Sequence, residues 1–89
     1  MTIPHQIWIL EEMLETMESL TVAGQRHNME KVLACLRRIG GPAVGLSPRN
    51  NQTFVLLLEQ LSDQVRLAMP DVGEFTTRAR AVAALLSAA

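Results

Sequence analysis

The stretch GGPAVGLSPRNN, Gly40 to Asn51, holds three glycines and two prolines within twelve residues. Proline removes a backbone donor and glycine weakens any regular element, so no helix or strand runs through it. It splits the chain into two halves. Each is long enough for two helices joined by a short connection. Whatever forms on one side must then pack against whatever forms on the other.

On both sides the apolar residues recur with helical spacing, and β-branched alternation is absent. Pro4, preceded by Thr2 or Ile3, suits a first helical turn. Ile7, Leu10, Leu14 and Met17 follow at spacings of three and four, with Ile9, Met13 and Leu20 as a second stripe beside them. Glu11, Glu12, Glu15 and Glu18 take the remaining surface. This is a wide apolar face with an acidic back.

SLTVAGQRHNMEKVL, Ser19 to Leu33, decides whether the first half is one helix or two. Gly24 would cost about 1 kcal/mol inside a helix and fits just past a helix end. Asn28 suits an N-cap, and Glu30 a first turn. Together they predict a corner at Gly24–Asn28 and a second helix over Met29–Ile39, with Met29, Val32, Leu33, Leu36 and Ile39 inward. No proline marks this corner. The alternative is three helices with a long first one through Gly24, whose apolar face would need a second chain to cover it.

In the second half, Ser47 and Pro48 read as N-cap and first helical position. The spacing predicts a third helix from Pro48 to about Met69. Phe54, Leu57, Leu58, Leu61, Val65 and Ala68 should face inward; Gln52, Glu59, Gln60, Asp63, Gln64 and Arg66 should face mostly outward. Pro70 stops it. Asp71 and Glu74 resemble a capping box opening a fourth helix, with a stripe of Val72, Phe75, Ala79, Val82 and Leu86. The expected fold is a single all-α domain over residues 1–89: an antiparallel four-helix bundle built from two helical hairpins.

Composition bears on function. Hydrophobic residues make up 48% before the five glycines are added, and charged residues only 19%, against ~25% in an ordinary domain. The surplus points to a homo-oligomer or a bound protein partner. The net charge of −1 gives no pull towards nucleic acid or an acidic membrane surface. The apolar run Phe54–Leu58 falls far short of the ~20 residues of a membrane span. The N-terminus lacks a basic region followed by an apolar run. A soluble, cytoplasmic protein is expected.

Residues for chemistry are sparse. His5 and His27 are the only histidines and sit in no metal-ligand spacing. The Glu-x-x-His pairs of two-metal carboxylate bundles are missing. Cys35 is the only cysteine and lies between Leu33 and Leu36, so it reads as an inert, packed thiol. GGPAVG lacks the G-K-[ST] ending of a phosphate loop. The expectation is a non-enzymatic protein with no catalytic residue, no cofactor and no metal. Two other readings remain. One is a small-ligand domain using the Gly40–Ser47 loop. The other is a DNA-binding regulator using Arg26, Lys31, Arg37, Arg38, Arg78 and Arg80, although a helix-turn-helix through helices two and three would need a turn of 3–4 residues.

Charge and aromatic placement favour an interaction role. The acidic first helix and basic second helix could pair within one chain, or between helix one of one protomer and helix two of another. Exposed pairs are worth ~0–1 kcal/mol and mainly choose an alignment. Met13, Met17, Met29 and Met69 are adaptable residues for apolar faces. Trp8, flanked by Ile7 and Ile9, suits an interface anchor. The expected surface is Ile7, Trp8, Leu10, Leu14 and Met17, used for self-association or for a partner's amphipathic helix. In length and helix pattern the layout resembles the small helical-hairpin chaperones of flagellar and type III secretion systems. That resemblance implies a partner-binding role and carries over no site residues.

Overall fold

The computed structural model describes residues 3–40 and 45–88. Four helices are present: α1 (Ile3–Glu15), α2 (Val22–Ile39), α3 (Pro48–Arg66) and α4 (Val72–Ala88). They pack as two antiparallel hairpins, α1–α2 and α3–α4, into the expected four-helix bundle. Neighbouring helices touch around the ring, and α2 also meets α4 across it. Ala79 and Ala83 lie on the buried face of α4, and such small side chains let backbones approach. The bundle is flattened, 36 × 24 × 16 Å.

The first corner exists, but not at Gly24–Asn28. Both residues lie inside α2, and no continuous helix runs through the first half either. The break falls at Thr16–Thr21, where hydroxyl side chains end one helix and start the next. Thr16 Oγ1 donates back to the Glu12 and Met13 carbonyls at 3.2 and 3.3 Å. Ser19 Oγ donates to the Thr16 carbonyl at 2.7 Å. A short 3₁₀ turn, Met17–Ser19, follows α1. Thr21 is extended, and its hydroxyl accepts the Gly24 N–H at 3.1 Å. This is an N-cap, satisfying one of the free donors at a helix start. Gly24 therefore belongs to the first turn of α2. A Cβ there would lie 3.3 Å from Thr21 Oγ1, so the glycine makes room for its own cap.

At the other end of α2, Gly40 N–H bonds the Leu36 carbonyl at 2.9 Å and closes the helix. Its backbone is not left-handed (φ −79°); glycine is needed there for space. The Phe54 ring lies where a Cβ would be. Gly45, by contrast, has φ 75°, a conformation that favours glycine. Residues 41–44 of the loop considered for a ligand lie outside the described residues. Ser47 then caps α3 as expected, accepting the Asn50 N–H at 3.2 Å, with Pro48 in the first turn.

The core collects Ile7, Leu10 and Leu14 from α1, Met17 from the 3₁₀ turn, and Met29, Val32, Leu33, Leu36 and Ile39 from α2. From α3 come Phe54 and Leu61; from α4, Phe75, Ala79, Val82, Ala83 and Leu86. Helix α3 stops at Arg66, short of Met69, so Ala68 is exposed rather than inward and Met69 is 75% exposed. Arg26 of α2 fastens this end: its Nη2 donates to the Leu67 and Ala68 carbonyls at 2.6 and 3.1 Å.

Gln64, expected outside, is 8% exposed. It completes the start of α4. Asp71 Oδ1 accepts the Glu74 N–H at 3.0 Å, the forward half of a capping box. For the reverse half, Gln64 Oε1 accepts the Asp71 N–H at 3.0 Å, and Gln64 Nε2 donates to Glu74 Oε2 at 2.9 Å. Glu74 Oε1 in turn holds Arg78 at 2.7 Å. A buried amide is tolerated here because both of its ends are bonded.

Candidate interaction surface

The five residues expected to form one surface divide. Ile7, Leu10, Leu14 and Met17 are buried in the chain's own core, whereas Trp8 is 57% exposed. A helix turns ~100° per residue. Trp8 thus points well away from the Ile7–Leu10–Leu14 stripe and falls among Glu11, Glu12 and Glu15, all exposed. The His5 ring stacks against it one turn earlier, with centroids 6.0 Å apart and planes 23° from parallel. That contact restrains the indole while leaving most of it in water.

Of the two pairings open to acidic α1 and basic α2, the one within the chain is not formed among the described residues. Among the described residues, Glu11, Glu12 and Glu15 bond no base of α2; the ion pairs Asp63–Arg66 and Glu74–Arg78 each lie within one helix. The outer face of α2 carries His27, Lys31, Ala34 and Arg38, all exposed. Arg38 leans back along its helix, its Nη2 3.6 Å from Cys35 Sγ. Cys35 is half-buried and packed against the core.

Helices α1 and α2 are level with each other at one end, where Ile3, Gln6, Arg38 and Ile39 line one cavity of about 400 Å³. A groove of about 280 Å³ between α2 and α3 is bounded by Arg37, Val55, Leu58, Glu59, Asp63 and Arg66. Val55 and Leu56 are exposed on α3. Sequence spacing could have shown Leu56: it lies opposite Phe54 and Leu61, between outward Gln52 and Glu59. At the corner end, Val22, Leu67 and Met69 are also exposed.

Among the described residues no three His, Cys, Asp or Glu side chains are grouped to hold a metal ion, and no helix is long and apolar enough to cross a membrane. Comparison with protein-family models, with curated proteins and with solved structures finds no match to this chain.

Proposed function

We propose that the chain is a small, non-enzymatic interaction module that presents the outer face of α1, centred on Trp8, to a helical surface of a protein partner. The observation that carries this reading is the exposure of Trp8 in mid-helix, 57%, beside Ile7, which the fold buries. Tryptophan supplies more contact area than any other side chain and dominates interfaces when it seats in a partner. Glu11, Glu12 and Glu15 around it, which form no ion pair among the described residues, add a charge preference for a basic surface.

The test is site-specific photo-crosslinking in living cells. A benzoylphenylalanine at position 8 should give a discrete higher-mass product; the same probe at Gln52, exposed on α3, should not. Equal yields from the two sites, or none from position 8, would sink the proposal.

A further inference from the structure

We infer that the partner is a second copy of this chain, docked through the face that α1 shares with α4, so that Trp8 of each protomer seats on Ala84 of the other. The inference rests on the interaction reading above and adds the occupant.

The direction of Trp8 follows from a cleft at one end of the bundle. Ile3, Pro4 and Ile7 of α1 and Leu86 and Ser87 of α4 line about 350 Å³ there. Pro4 therefore marks the α4 side of α1, and Ser87 the α1 side of α4. A helix turns ~100° per residue. Trp8, one turn on from Pro4, is displaced from it by ~40°, further from the core stripe. Its side chain thus stands out from the α1–α4 face, beside the apolar cleft. Glu11 and Arg80, two turns along from Pro4 and Ser87, each return to within ~20° of those markers, and both are exposed. The face carries its aromatic and acidic groups on α1 and a cation on α4.

Register and charge then fit a two-fold axis. The start of α1 meets the end of α4 at the cleft, and antiparallel helices rise equally per residue in opposite senses. Counting equal steps from Pro4 and Ser87 brings Glu11 level with Arg80, and Trp8 within one residue of Ala84. Among the described residues neither Glu11 nor Arg80 forms an ion pair. Glu74 and Arg78 of α4 are turned to the other side, where Glu74 bonds both Gln64 of α3 and Arg78. An axis parallel to the helices, placed over the α1–α4 seam, preserves every level and lays α1 of each protomer on α4 of the other. Glu11 meets the partner's Arg80, and the four charges alternate in sign around the axis. Trp8 meets the partner's Ala84 and the partner's Ser87, small residues beside the cleft. An axis across the helices would instead lay α1 on α1, acid against acid, which costs affinity. Charge complementarity of the face with itself selects both the second copy and its orientation.

The face is small. Helix α4, with 17 residues, is ~25 Å long, and two helices side by side are ~20 Å wide. About 500 Å² per partner falls below the ~800 Å² of a standard interface, so the dimer should be weak and concentration-dependent.

Sedimentation equilibrium of the purified chain should show a reversible monomer–dimer transition in the micromolar range. Trp8→Ala and Ala84→Glu should each weaken it at least tenfold while leaving thermal unfolding of the monomer little changed. Ala34→Glu, on the outer face of α2, should leave it intact. Glu11→Arg and Arg80→Glu should each weaken self-association several-fold, because like charges then meet across the axis. Mixed in equal amounts, these two proteins should form a heterodimer tighter than either homodimer, since every cross-axis pair is then opposite in sign. A chain monomeric up to millimolar concentration would overturn the inference, as would a dimer indifferent to Ala84→Glu or a mixture that associates no better than its components. A crosslink from position 8 to a protein of another mass, with the purified chain monomeric, would refute the second copy and leave the interaction reading standing.

Discussion

Gly40→Ala isolates a single packing contact. In most helix-ending positions with ordinary backbone angles, alanine for glycine stabilises by ~0.4–1 kcal/mol, because the unfolded chain loses freedom. The angles of Gly40 permit alanine, at φ −79° and ψ 24°. Space does not. The new Cβ would meet Phe54 Cζ directly and lie 2.6 Å from Cε2 and 2.9 Å from Cε1. Carbon atoms prefer ~3.5–4.0 Å, so the ring would have to retreat by about 1 Å or more. Phe54 is buried, and such overpacking costs ~1–3 kcal/mol. The clash outweighs the entropy gain, and we expect a net loss of about 1–2 kcal/mol. For a domain of this size that lowers Tm by ~4–8 °C per kcal/mol. Thermal unfolding followed by far-UV circular dichroism measures it. In a Phe54→Leu background, where the ring is gone, the alanine penalty should shrink, giving a clear coupling. A Gly40→Ala protein as stable as the parent or more so would refute the argument, because backbone entropy alone predicts that result.

Other perturbations test the polar ties. Gln64→Ala leaves the Asp71 N–H and one Glu74 oxygen without their partner, and should cost ~1–3 kcal/mol in urea unfolding; Gln60→Ala should cost far less. Thr21→Ala removes the cap of α2 and should lose ~1 kcal/mol, with Thr21→Ser close to the parent. Arg26→Met deletes a charged donor to two carbonyls and should cost ~1.5–3 kcal/mol. Hydrogen exchange should then speed up first around Leu67–Met69, and uniform acceleration across α3 would contradict a local role.

Most of the bundle could be read from spacing because helical stripes such as Phe75, Ala79, Val82 and Leu86 answer to one rule, burial of a face. The first corner was displaced because glycine and asparagine are conspicuous signals, while Thr16, Ser19 and Thr21 act only through side-chain bonds to nearby backbone. Those bonds compete with helix continuation and win here. Gln64 was misplaced because polarity alone predicts exposure; its partners, Asp71 and Glu74, sit across a turn that spacing does not resolve. The expected surface mixed two directions of one helix. Ile7, Leu10 and Leu14 follow the core stripe, and only Trp8 leaves it, a difference set by angle and not by residue type.

Arg26 has a mechanical consequence. The chain passes between its two hairpins at one end only, after Gly40, so the hairpins are arranged like the covers of a book with its spine there. Arg26, bonded to carbonyls 41 and 42 residues further along the chain, is a clasp on the opposite edge. Opening the covers must undo the clasp, while cutting the spine leaves it shut.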